Sequence, residues 1–128
     1  MGAEAADLAR FLRAEIPAAD LPHREHVRMA YEMLRRHAFA ETLLRYSNAL
    51  EAIARKAGKP QAFNLTVTIA FLALIAQRME DAPAGGFEPF ADANPDLFDK
   101  GVLTRWYRPE QLASPLARRM FLLPDPAS

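Results

Sequence analysis

The segment Ala62–Ala76, AFNLTVTIAFLALIA, constrains this chain most. It is apolar nearly all the way round, and its polar side chains, Asn64, Thr66 and Thr68, crowd at one end. A helix that is hydrophobic on every side belongs in the interior of a fold. Its polar end must find partners there, because an unpaired buried polar group costs about 1–3 kcal/mol. The run is about 15 residues, short of the ~20 that span a bilayer. Phe63, Leu65, Val67, Ile69 and Phe71 alternate with polar residues at first, which is a strand pattern. The run is long for a strand, its second half is rich in Ala and Leu, and no second strand segment exists to pair with it. The segment from Ala62 to Met79 is therefore read as a helix.

Three further helices precede it. Leu8, Phe11 and Leu12 share a face over Ala3–Ala14, and Ile16-Pro17 ends that helix. Asp20-Leu21-Pro22 reads as a cap and a first-turn proline, opening a helix to His37 with Val27, Ala30, Tyr31 and Leu34 as its inner stripe and Met33 beside it. Leu43, Leu44, Leu50, Ile53 and Ala54 mark a helix over 40–57, stopped by Gly58. Asp81–Gly86 is a loop, and seven of the ten prolines lie from Pro83 onward. Asn94-Pro95, Pro109-Glu110 and Ser114-Pro115 each open a short helix. Phe87, Phe90, Leu97, Phe98, Trp106, Tyr107, Leu112, Leu116 and Phe121 are too many large apolar groups for a loose tail. The expected architecture is all-α: one domain over 1–128, with a helical bundle core at about 3–81, a central buried helix, and a C-terminal arm of short helices at about 87–124.

The chain carries 16 Lys and Arg against 16 Asp and Glu, so no basic excess points to nucleic acid. Arg35-Arg36 and Arg118-Arg119 read as solvated surface charge. There is no cysteine, which removes disulfides, thiolate metal sites and thiol nucleophiles. The first residues carry Glu4 and Asp7 in place of a basic start and continuous apolar stretch, so no secretory signal is read there. A cytoplasmic protein with neither membrane nor nucleic-acid partner is the expectation.

His23 and His26 are three apart at the start of the second helix, on neighbouring positions of one face. The positive end of a helix dipole disfavours their protonation. Two neutral imidazoles at this spacing can share a metal ion, but a site needs further ligands, and no H-E-x-x-H motif supplies them. No metal is assigned, and the cofactor is left open. Ordinary hydrogen-bonded histidines are the plainer reading. Asn64 and Thr68 stand four apart and are expected on one face of the central helix, either in a structural network or flooring a pocket. His37 reads as a favourable charge at a helix end, and Gly85-Gly86 lacks the spacing of a phosphate loop.

The order H-R-E-H-V-R-x-A-Y from His23, A-G-K-P-x-x-F-x-x-T-x-T-x-A-F-L-x-L-I-A from Ala57, then N-P-x-L and S-P-x-A-R, resembles a family of small uncharacterised bacterial helical proteins. The resemblance spans His23 to Pro124 and carries no assigned reaction. Where that family reads K-Y-H-E-T-x-T, this chain has Ala62-Phe63-Asn64-Leu65-Thr66-Val67-Thr68. The resemblance implies a further His and Glu near the His23/His26 end in the family, as a ligand set or acid–base site. Asn64 and Leu65 replace them here, which weakens a metal site and implies changed or lost chemistry.

The leading functional expectation is a small-ligand-binding protein or small enzyme with a polar pocket between helices. His23 and His26 would be its acid–base or ligand groups, Asn64 and Thr68 would orient the bound molecule, and Tyr31 would form a wall. The alternative is a non-catalytic protein–protein interaction or regulatory module that homodimerises through its apolar faces.

Overall fold

A computed structural model describes residues 3–82 and 84–125. It holds seven α-helices and no strand among the described residues: α1 Ala3–Leu12, α2 His23–Arg36, α3 Phe39–Lys56, α4 Leu65–Glu80, α5 Phe87–Ala93, α6 Pro109–Leu112 and α7 Pro115–Arg119. Short 3-10 turns occupy Ala18–Asp20, Pro60–Ala62, Pro95–Phe98 and Val102–Arg105.

The apolar run is helical, and α4 is the hub of the molecule. It packs against α2, α3 and α7, while α1 lies across α2 and α3. None of the residues from 63 to 76 is exposed. One core joins Leu8 and Phe11 of α1, Val27, Met29 and Met33 of α2, Ile53 of α3, and Leu72 and Ile75 of α4. Phe90, Leu97, Val102, Leu103 and Tyr107 of the second half enter the same core, so the arm is part of the packed interior.

The polar end of α4 clamps that arm. Thr66, fully buried, donates from Oγ1 to the Met120 carbonyl at 2.6 Å and accepts from the Leu122 N–H at 3.0 Å. The Tyr107 hydroxyl donates to the Leu122 carbonyl at 2.8 Å. Ser114 caps α7 through the Ala117 N–H. Arg78 on α4 holds the start of the 95–98 turn, with bonds of 2.9 and 2.8 Å to Asp96 and one of 2.9 Å to Asn94.

Several boundaries differ from the sequence reading. Asp20 does not cap α2; it closes the 3-10 turn after Pro17, and Pro22 is the N-cap. The Pro22 carbonyl accepts from the N–H groups of Glu25 and His26, so α2 begins at His23. α4 begins at Leu65, because Pro60–Ala62 is a separate turn and Asn64 is its cap. Leu44 faces outward, 62% exposed, since the inner stripe of α3 runs through Thr42, Tyr46, Ala49 and Ile53. α5 is a helix that no cap signal announces; Phe87, Phe90 and Ala91 bury its inner face. Gly58, at φ 74°, follows α3 as expected.

Candidate functional site

A cavity of about 310 Å³ opens between the start of α2, the middle of α3 and the first half of α4. Its walls are mostly apolar: Leu21, Val27, Ala30, Leu50, Val67, Phe71, Leu72 and Ile75. Set into them are His23, His26, Tyr46, Thr68 and, at the mouth, Lys100. This volume lies at the lower end of small-molecule pockets, about 300–1,000 Å³, and the few polar groups in an apolar wall match such sites.

Each polar group is fixed by its element. His23 opens α2 and its Nε2 bonds the Leu97 carbonyl at 2.8 Å. A carbonyl only accepts, so Nε2 carries the proton and Nδ1 is left as the acceptor of the neutral ring. The ring meets Phe71 edge-on, with centroids 5.2 Å apart. Tyr46 is buried on α3 and donates its hydroxyl proton to the His26 carbonyl at 3.0 Å. Burial pushes the Tyr46 phenol well above its ordinary pKa, so it stays a neutral donor. Thr68 donates back to the Asn64 carbonyl at 2.8 Å, which leaves its oxygen able to accept.

His26 is the most perturbed group in the cavity. Its pKa is pushed down to about 4, chiefly by burial, with the neighbouring His23 and Lys100 adding and a backbone hydrogen bond with Leu21 opposing. The ring is therefore neutral at pH 7. Among the described residues no group of three or more ligand-type side chains comes together to hold a metal.

Of the five residues singled out in the sequence, three meet here: His23, His26 and Thr68. Tyr31 is not a wall of this cavity. It lies five residues beyond His26, where the helix has turned by about 140°, and packs against Phe87 and Phe90 at 5.6 and 5.0 Å between centroids. Asn64 does not line it either. As the N-cap it has extended backbone, not helical, so the assumed i,i+4 face with Thr68 does not form. Its Oδ1 accepts from the Val67 N–H and its Nδ2 donates to the Leu112 carbonyl at 2.7 Å. Tyr46 and Lys100 were missed. Tyr46 carries a helical signal, standing three beyond Leu43 and four before Leu50. Lys100 has none; only the folding of the 95–101 segment over α2 brings it to the mouth.

Comparison of the chain with protein-family models, curated proteins and solved structures finds no match.

Proposed function

We propose that this chain is a small-ligand-binding protein whose site is the cavity between α2, α3 and α4. The observation that carries the reading is a half-buried imidazole, His26, set in an apolar chamber beside His23 and Thr68. A base held near pKa 4 is poorly matched to proton transfer at neutral pH, where the effective value lies near 7. It serves better as a hydrogen-bonding partner that orients a guest, so binding is favoured over catalysis. An apolar cavity of about 150 Å³ takes up benzene, and this one has room for a larger body.

The test uses 1-octanol as probe and Val67→Phe, which fills the chamber from a half-buried position. Thermal unfolding of the wild type rises with 1-octanol, by mass action, and amide shifts map to the cavity walls. The variant, shown to be folded by circular dichroism, shows neither effect. Equal responses in the two proteins would sink the reading.

A second reading, a homodimerising interaction module, draws on a different surface. Trp106 and Phe121 are 48% and 41% exposed and share a shallow groove with Ala73, Leu74 and Gln77 of α4. Light scattering at rising concentration, compared with Trp106→Ala, tests it: dimers lost in the variant support it, and a monomer throughout removes it.

A further inference from the structure

Among the described residues the lining of the cavity carries a single formal charge, and that charge is positive. Lys100, exposed, stands at the mouth; among the described residues no aspartate or glutamate lines the chamber. Among the described residues Lys100 makes no ion pair, whereas most arginines of the chain sit against carboxylates. The rest of the wall offers an apolar floor and a few polar atoms, those of His23 and Thr68 among them. A cationic guest would meet like charge with no compensating carboxylate. A phosphate would bring up to two charges to one ammonium, without the forked guanidinium that suits such groups.

Resting on the reading of this chamber as a ligand site, we propose that its guest is a small carboxylic acid with an apolar body, the carboxylate held by Lys100 at the mouth and the body buried among Leu50, Val67, Phe71 and Leu72. One ammonium balances one carboxylate, and the apolar part leaves water. The carboxylate also acts on His26. The groups that face this ring are His23 from its own helix, Lys100 from the 95–101 segment, and the uncharged Tyr46, Val67 and Thr68 from α3 and α4. A negative charge at Lys100 offsets the repulsion that helps to keep the ring neutral.

Octanoate and 1-octanol are compared by calorimetry and NMR at pH 7, on the wild type and on Lys100→Gln. Lys100 is exposed and makes no ion pair among the described residues, so the substitution leaves the fold intact. Octanoate is expected to bind roughly tenfold more tightly than 1-octanol to the wild type, and equally or more weakly to Lys100→Gln. In the octanoate complex the His26 titration moves upward; with 1-octanol it does not. Octanol binding as well as octanoate, an octanoate affinity unchanged in Lys100→Gln, or a His26 titration that stays in place overturns the carboxylate proposal while the chamber remains a ligand site. Failure of both probes to bind overturns the chamber reading as well.

Discussion

His23 and Leu97 are joined by a hydrogen bond of 2.8 Å that ties the first turn of α2 to the 3-10 turn at Pro95–Phe98. It spans 74 residues of sequence and makes one wall of the cavity depend on the arm. The neutral ring must be the Nε2–H tautomer, which nitrogen-15 shifts of the imidazole report directly. Removal of the ring in His23→Ala leaves the Leu97 carbonyl without this donor and is expected to cost about 1–2 kcal/mol in chemical denaturation. A predominant Nδ1–H tautomer would show that the bond does not form in solution.

His26 gives the protein a pH dependence of definite sign. Its folded pKa of about 4 lies below the ordinary 6.5, so the unfolded chain binds the extra proton first as pH falls. Stability is unaffected above pH 6.5, declines between 6.5 and about 4, and levels off below that as far as this residue is concerned. At about 1.4 kcal/mol per tenfold difference in proton affinity, the loss reaches roughly 3 kcal/mol at most. Urea denaturation of wild type and His26→Gln from pH 4 to 7 isolates the effect: the variant should lack most of this slope. Parallel profiles would mean that the ring is not buried as described.

Thr66 is the main tether of the C-terminal segment to α4. Thr66→Val keeps the shape, but strands the Met120 carbonyl and the Leu122 N–H. The expected cost is about 2–3 kcal/mol, since the paired atoms are part-buried and lose their partner together. Limited proteolysis should then cut near residues 119–123 faster than in the wild type, with the bundle core cut no faster. An unchanged cleavage pattern would contradict the role of this threonine.

Helix positions were legible in the sequence because burial periodicity is local. Leu8 and Phe11, or Val27 and Ala30, need only the 3.6-residue repeat to be assigned inward. The cap signals Asn94-Pro95, Pro109 and Ser114-Pro115 located the short turns of the arm for the same reason. The site was legible only where it lies on one helix. His23 and His26 share a face by spacing alone, but their company depends on which segments fold over α2. The polar tip of α4 reads in the sequence as either a structural network or the floor of a pocket, and the structure divides it: Asn64 and Thr66 fasten the arm, while Thr68 reaches the chamber. Buried polarity signals the need for a partner, and nothing local says whether that partner is a ligand or another stretch of chain. Lys100 sits at the mouth through tertiary folding alone.

Asn64 performs two separable tasks, and their separation decides whether it belongs to the fold or to the site. Its Oδ1 accepts from the Val67 N–H as the cap of α4, and its Nδ2 donates to the Leu112 carbonyl in the arm. Asn64→Ser retains a capping oxygen and loses the amide donor, so it should cost about 1 kcal/mol. Asn64→Ala loses both, and should cost about 2 kcal/mol. Thermal and urea unfolding should therefore rank wild type above serine above alanine. Because the side chain does not line the chamber, octanol and octanoate affinities should be the same in both variants as in the wild type once each is folded. A binding loss in Asn64→Ser that exceeds its loss of stability would return this residue to the site.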